Sequence, residues 1–490
     1  MNLRMIFNTL GKSLLALAGL LLLPMVTSII YQESVVWSFV ITIGIALVVG
    51  LVLMLAFRPK SKDIFSREGF VMVSLVWICY SLIGALPFAI SGEIPNYIDA
   101  LFETISGFTT TGASILTGAQ IEAMSKGLLF WRSFTHWVGG MGIIVFVMVF
   151  ASLSQDRSIH ILRAEMPGPT VDKLVPRARD TARILYLIYI GMTALLAILL
   201  LCGGMSLFDS LIHAFGTAGT GGFGIKADSV ASYSNYCQWV IAIFMFLFGI
   251  NFNIYYLMVL GRFKSALKSQ EMWMYVGITV VVIGTITANL LGTFAYTQTF
   301  SDAFRIATFQ TIATMTTTGF GVIPSSTNVN FWPELSKWLL FLLMFVGGCA
   351  GSTAGGFKVS RVGILGCGVK KEIRRLLHPR SANVIKFEGK VVTDETLRSV
   401  SSYFVVYVFI MICVFVVLCF DPNPNLDFSA NVTATVSCFN NIGPAYGEAV
   451  NGYFVYSQFS KVILSIAMLL GRLEIFPLLL FVTPSTWKKQ

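Results

Sequence analysis

Residues 99–112 read Asp-Ala-Leu-Phe-Glu-Thr-Ile-Ser-Gly-Phe-Thr-Thr-Thr-Gly, and residues 306–319 read Ile-Ala-Thr-Phe-Gln-Thr-Ile-Ala-Thr-Met-Thr-Thr-Thr-Gly. Laid over one another, they end on the same Thr-Thr-Thr-Gly. Two other stretches close in a related way, Gly219-Thr-Gly-Gly222-Phe223 and Asn440-Asn-Ile-Gly443-Pro444. Each lies in an apolar segment that is too short to cross a bilayer or is broken by Gly and Thr, at 97–116, 207–225, 300–323 and 427–447. Each sits between two longer apolar runs. Self-similarity of this kind points to repeated units around one centre. The unit reads as helix, short pore helix, Thr/Gly strand, helix.

The surrounding chain sets the solvent. Of 490 residues, 56% are hydrophobic and 12% charged, with a mean hydropathy of +0.77; ordinary soluble chains carry about 25% charged residues. Ten runs have the length that spans hydrocarbon: 8–30, 35–57, 68–91, 127–153, 181–203, 236–261, 271–292, 334–365, 399–420 and 457–481. The expected fold is an all-α polytopic membrane protein, two N-terminal helices followed by four pore repeats. The expected boundaries are 1–62 for the leading pair and 63–160, 161–265, 266–385 and 386–490 for the repeats. The first run, 13–30, follows a basic start without an A-x-A cleavage site and reads as a retained helix. The net charge of +10 is gathered at 58–67, 157–183, 262–268, 358–398 and the C-terminus. That is the positive-inside pattern, not a nucleic-acid surface. It places both termini in the cytoplasm. The four short segments then enter from the opposite side as re-entrant loops, which a bilayer tolerates only where they are buried or line water. Eight scattered cysteines indicate neither a disulfide framework nor a metal site.

The chemistry of the strands is that of a cation filter. A dehydrated cation needs oxygens in place of its water, and backbone carbonyls supply them when glycine frees the chain to turn them inward. The candidate filter residues are Thr110, Thr111 and Gly112; Thr220, Gly221 and Gly222; Thr317, Thr318 and Gly319; and Asn441, Ile442 and Gly443. Only the last of each triplet is glycine in all four. Threonine hydroxyls would add a ring of ligands at the inner end, and pore-helix C-termini aimed at the axis favour a cation there. A single Thr/Gly run between helices reads as a turn; four on one membrane side read as a filter. The acids Asp99, Asp209, Asp302 and Asp427 read first as helix caps, with cation concentration in the outer vestibule as the alternative.

With these segments in hand, the chain resembles the Trk/Ktr/HKT superfamily of K+ transporters, and within it the TrkH type. The resemblance runs through essentially the whole chain. It rests on the four filters, on Trp131-Arg-Ser-Phe-Thr-His-Trp-Val-Gly-Gly-Met-Gly142, on the glycine-rich run 347–358 and on Gly471-Arg-Leu-Glu-Ile-Phe-Pro477. Gly219 stands where this family often has Ser. The resemblance implies K+ uptake, with K+ as the transported ion and no resident cofactor. It also implies a homodimer with one pore per protomer, and a cytoplasmic ring of TrkA-like, nucleotide-binding RCK subunits. This chain holds no Rossmann fingerprint, so nucleotide sensing belongs to that ring.

Two motifs lie below the filter. Residues 347–358 read Gly-Gly-Cys-Ala-Gly-Ser-Thr-Ala-Gly-Gly-Phe-Lys, a poor helix interior. It reads either as a kink that eases packing or, following the resemblance, as an intramembrane gate built from Gly347, Gly348, Gly351, Ser352, Thr353, Gly355 and Gly356. Arg472, deep in the last span, is costly there. It is either held by a structural partner or set in the cavity as a barrier to cations. His136 and His213 read as interior histidines with no transport role. An intramembrane enzyme finds no support: there is no His-Glu-x-x-His, no paired intramembrane Asp and no Gly-x-Ser-x-Gly on a suitable element. An inverted-repeat transporter places broken helices at the midplane, but these four copies share one sense. Passive conduction and H+- or Na+-coupled symport remain alternatives within the same fold.

Overall fold

The computed structural model describes residues 1–59, 66–142, 178–292, 299–322, 329–378 and 385–487. Among them, six helices are long and apolar enough to cross a membrane: Leu3–Ile30, Val36–Ala56, Arg67–Ser91, Ala182–Cys202, Gln270–Leu291 and Asp394–Leu418. Two bent pairs, Asn235–Phe248 with Phe252–Val259 and Gln458–Arg472 with Phe476–Val482, bring the number to eight. The other two expected spans correspond to Lys126–Gly140 and to Glu334–Val346 followed by Val359–Leu377. The far end of the first of these, 143–153, lies outside the described residues, as does most of the basic stretch 157–183. Two of the long helices break at proline: Pro24 lies just beyond the break at Leu21, and Pro87 just beyond that at Ala85. Proline's ring opposes the carbonyl four residues back.

Four shorter helices sit between the spans: Tyr97–Phe108, Leu207–Ala218, Phe300–Met315 and Phe428–Asn440. The architecture is thus two leading helices and four helix–pore-helix–strand–helix units, as the sequence indicates. Among the described residues, the one departure from all-α structure is a small antiparallel hairpin pairing Lys386–Phe387 with Lys390–Val391.

Packing is inverted relative to a soluble protein. In Val36–Ala56 the buried residues are Ser38, Phe39, Thr42, Ala46 and Gly50, while Trp37, Val48 and Val52 are exposed. Small side chains at four-residue spacing let backbones approach, which is how helices pack when lipid is as apolar as they are. A Cβ on Gly11 would lie 2.6 Å from the Gly50 carbonyl oxygen, and one on Gly50 3.0 Å from that of Gly11. The leading pair is fastened to the first repeat by Glu33. Its carboxylate accepts the backbone N–H groups of Lys126 at 2.6 Å and Gly127 at 2.9 Å, occupying the positive end of Lys126–Gly140.

Gly50→Leu therefore overfills the contact between the two leading helices. Overpacking costs about 1–3 kcal/mol, so the thermal midpoint of the detergent-solubilised protein should fall while K+ flux per folded molecule stays unchanged. An unchanged midpoint would contradict the close backbone contact.

Candidate functional site

All four pore helices end alike. The residue that leaves the helix turns left-handed: Thr110 at φ 55°, Thr220 at 54°, Thr317 at 54° and Asn441 at 57°. The N–H of the next residue then returns to the carbonyl five positions back. These bonds are Thr111 to Ser106 at 2.9 Å, Gly221 to Gly216 at 2.8 Å, Thr318 to Ala313 at 2.9 Å and Ile442 to Ser437 at 3.0 Å. This is a Schellman closure, carried by residues that rarely adopt it, at about 1–3 kcal/mol each. One residue later φ is positive again, 77° at Gly112, 75° at Gly222, 81° at Gly319 and 103° at Gly443.

The glycines close a ring. A Cβ on Gly112 would fall 1.9 Å from the carbonyl oxygen of Gly221, and one on Gly222 1.9 Å from that of Thr318. A Cβ on Gly319 would fall 2.0 Å from the oxygen of Ile442, and one on Gly443 2.5 Å from that of Thr111. Each repeat thus presses one carbonyl against the preceding repeat's glycine, and the first repeat's carbonyl closes the ring on the glycine of the fourth. None of those four oxygens accepts a backbone hydrogen bond among the described residues. Four carbonyls held together without backbone partners have the chemistry that replaces water around a dehydrated cation. The structure brings all twelve sequence-predicted filter residues into this one arrangement.

The inner ring of hydroxyls is less uniform than the sequence suggests. Thr110, Thr220 and Thr317 supply hydroxyls; Asn441 instead points its amide away, to Thr111 Oγ1 at 3.0 Å and the Met468 carbonyl at 2.9 Å. The second repeat's extra glycines are also explained. A Cβ on Gly219 would lie 2.2 Å from the His136 carbonyl oxygen, and one on Gly221 2.2 Å from the His136 ring. That ring fills the space the threonine side chain takes in the first and third repeats, and its Nδ1 lies 2.8 Å from the Gly107 carbonyl oxygen. His136 therefore has a place in the filter wall, which the sequence reading did not give it.

Beneath the ring, the regular second helix of every repeat ends within the described residues. Lys126–Gly140 runs into Gly142 at φ 85°; Asn235–Phe248 bends 89° into Phe252–Val259; Glu334–Val346 gives way to the loop 347–358; and Gln458–Arg472 bends 120° into Phe476–Val482. The sequence showed only the third of these and read 236–261 and 457–481 as continuous spans. The bends have local causes: Asn251 caps the helix it begins, and Glu474 and Ile475 take positive φ ahead of Pro477. The breaks surround a cavity of about 70 Å³, walled by Gly140, Phe252, Gly355, Lys358, Arg472 and Glu474 among others.

The loop touches the filter. Gly355 N–H donates to Thr317 Oγ1 at 2.6 Å, and Gly356 N–H to the Asn440 carbonyl at 3.1 Å. Gly347, Gly351 and Gly356 have positive φ. Gly348 packs against Ala354, Ser352 Oγ donates to the Cys349 carbonyl at 2.6 Å, and Thr353 Oγ1 to the Phe248 carbonyl at 3.2 Å. The buried carboxylate of Glu271 accepts from Ala350 N–H at 2.6 Å and Ser360 N–H at 3.1 Å. Arg472 donates to the Thr353 carbonyl at 2.9 Å and to those of Gly139 at 2.5 Å and Gly140 at 2.9 Å. It both lines the cavity and latches the loop to the first repeat, which gives the structural reading its partners. Glu474 pairs instead with Arg361.

Of the four acids at the pore-helix starts, only Asp427 is a cap. Asn96, Ser206 and Thr299 cap the other three helices. Asp99 pairs with Lys461 at 2.8 Å, Asp209 accepts from the Tyr233 hydroxyl at 3.0 Å, and Asp302 pairs with Arg305 at 3.0 Å. Their position in the first helical turn, beside a better capping residue, is the reason. Sequence reasoning also missed Glu271 and a buried ion pair, Glu103 with Arg132 at 2.6 Å. Glu103 is the one acid inside the apolar part of a filter segment, which is the signal it offered.

Known proteins resemble this arrangement along its length. Residues 37–489 match the TrkH family, described as cation transport proteins. The chain is 34% identical over 497 residues to the Trk system potassium uptake protein TrkH of Escherichia coli (strain K12), covering 100% of both. It is 31% identical over 473 residues to TrkG of the same organism, covering 95% of this chain and 94% of that one. The crystal structure of the potassium transporter TrkH from Vibrio parahaemolyticus superposes with a TM-score of 0.89 at 31% identity, covering 100% of both chains.

The ring geometry makes Gly112→Ala a sharp test. The new Cβ displaces a carbonyl of the neighbouring repeat, and overpacking of about 1–3 kcal/mol is relieved by opening the ring. The K+/Na+ flux ratio in liposomes should fall by about tenfold, the equivalent of about 1.4 kcal/mol. Gly92 has φ 81° and nothing within 4 Å of its Cβ position, so Gly92→Ala carries the backbone strain alone and should keep the ratio. Full K+ preference in folded Gly112→Ala would contradict the ring.

Proposed function

The chain belongs to the TrkH family of cation transport proteins; it takes up K+ across the membrane it spans, and we propose that the ion passes through the ring closed by Gly112, Gly222, Gly319 and Gly443. The observation that carries this is the set of four carbonyls without a backbone hydrogen bond among the described residues, each pressed against a glycine of the neighbouring repeat. The protein acts as a conduit and not as an enzyme, with K+ as cargo and no resident cofactor.

The loop 347–358 serves as the gate. Its hydrogen bonds to Thr317 and Asn440 put it directly under the filter, and Arg472 holds it there. Beyond the loop, Val359–Leu377 ends in Lys370, Lys371, Arg374 and Arg375. By the positive-inside rule this end is cytoplasmic, as are both termini, in a bacterial inner membrane. A cytoplasmic RCK-type subunit of the TrkA kind, reading a nucleotide, would act on the gate through this helix. The relatives' names place them in a Trk system, which suits such a regulator. The functional unit is a homodimer in lipid with one pore per protomer, and no nucleic acid takes part.

Proteoliposomes holding the purified protein alone, with a K+ gradient and a set potential, test the reading. Flux should follow K+ and reverse at the K+ equilibrium potential; a reversal that moves with pH or Na+ would show coupling instead. Arg472→Gln removes a charge and a latch together. Two unit charges about 6 Å apart repel by roughly 3 kcal/mol at an effective dielectric of about 20. Cavity water leaves a barrier of about 1–2 kcal/mol, so flux per reconstituted molecule should rise about 5- to 30-fold. Equal flux would remove Arg472 from the permeation path.

A further inference from the structure

Nine positions before the ring glycines stand Glu103, His213, Gln310 and Ala434. All four are buried, and the first alone is an acidic residue. Glu103 accepts from Arg132 Nε at 2.6 Å, from Ser114 Oγ at 2.9 Å and from Ile115 N–H at 3.0 Å. Ser114 and Ile115 are the second and third residues after Gly112. Arg132 donates through Nη1 to the Gly224 carbonyl at 2.9 Å, and its guanidinium lies 3.5 Å from the centre of the Phe223 ring. Phe223 and Gly224 follow Gly222. One ion pair, with side chains 2% and 0% exposed, thus grips the outer ends of two adjacent filter strands. The grip continues around the mouth. Tyr453 N–H donates to the Ser114 carbonyl at 2.8 Å and its hydroxyl to the Gly443 carbonyl at 2.8 Å. Val230 N–H donates to the Gly321 carbonyl at 3.0 Å, and Gly321 N–H to Ser229 Oγ at 3.2 Å.

A buried ion pair is a poor source of stability, because desolvation offsets the attraction and apolar residues of equal volume pack as well. What it supplies is direction: charge-assisted bonds are short, and arginine's planar fork fixes two acceptors at once. Here the fork spans a pore-helix carboxylate in one repeat and a strand carbonyl in the next. Resting on the filter reading above, we propose that Glu103 and Arg132 are positioning residues that set the preference for K+ over Na+. They clamp the outer ends of the first and second strands, so the ring cannot contract around the smaller ion. Neither residue touches the permeating ion in this role; both act through Ser114, Ile115 and Gly224.

The test is the K+/Na+ permeability ratio, read from bi-ionic reversal potentials of the full-length protein in liposomes. Glu103→Gln and Arg132→Lys keep the volume and loosen the grip. The ratio should fall by about three- to tenfold, the scale of coupling between residues that share one network, while K+ remains permeant. Ser114→Ala leaves the pair intact, removes one strand contact and should lower the ratio in the same sense. It decides the matter should the other two variants not fold. A role confined to stability changes the yield of folded protein and scales both ions alike; an unchanged ratio in the folded variants therefore overturns the clamp. Absence of K+ preference in the unaltered protein overturns the filter reading and the clamp with it.

Discussion

A strand that offers its carbonyls to an ion inside a membrane must hide its N–H groups somewhere else. Unsatisfied backbone in hydrocarbon costs several kcal/mol per group, and water is not available to share the load. In this protein the pore helices provide the answer. Each accepts the first strand N–H groups at its own C-terminus, through the bonds from Thr111, Gly221, Thr318 and Ile442. The left-handed residue just before each bond is what makes the return possible. The rest follows from that arrangement: short helices with buried C-termini, two flanking spans per unit, and glycine where neighbouring strands meet.

The same constraint shapes the inner half of the molecule. An ion leaving the ring needs space, so the second helix of each unit cannot run straight beneath it. The breaks at Gly142, Gly249–Asn251, 347–358 and Leu473–Ile475 open that space, and the polar backbone they release is turned to use. Arg472 satisfies carbonyls of the first and third breaks together. Cys349 N–H donates to the Gly249 carbonyl at 3.0 Å, and Phe252 N–H to that of Gly351 at 3.0 Å. The loop 347–358 is thus bonded to the breaks of its neighbours, so its movement would disturb all of them.

The sequence displayed what depends on residue type. The ring glycines were legible because no other residue fits against a neighbour's carbonyl, and the loop 347–358 because five glycines in twelve residues make a poor helix. The left-handed Thr110, Thr220 and Thr317 were hidden, since β-branched residues argue against that conformation and only the closed ring enforces it. The bends after Phe248 and Arg472 were hidden inside apolar runs whose composition is that of any span. The acids at the pore-helix starts misled because Ser206 and Thr299, three residues earlier, outcompete them as caps. The ion pair of Glu103 and Arg132 joins residues 29 positions apart, and no local pattern announces such a contact.

The proposed cation site is shared by four strands of one chain. Crystals of the protein grown in Rb+ or Tl+ would report on it by anomalous scattering. The account predicts strong peaks on the axis of the ring, level with the carbonyls of Thr111, Gly221, Thr318 and Ile442, and their loss when Na+ replaces the heavier ion. A ring without density, in crystals where the ion is bound elsewhere in the protein, would contradict it.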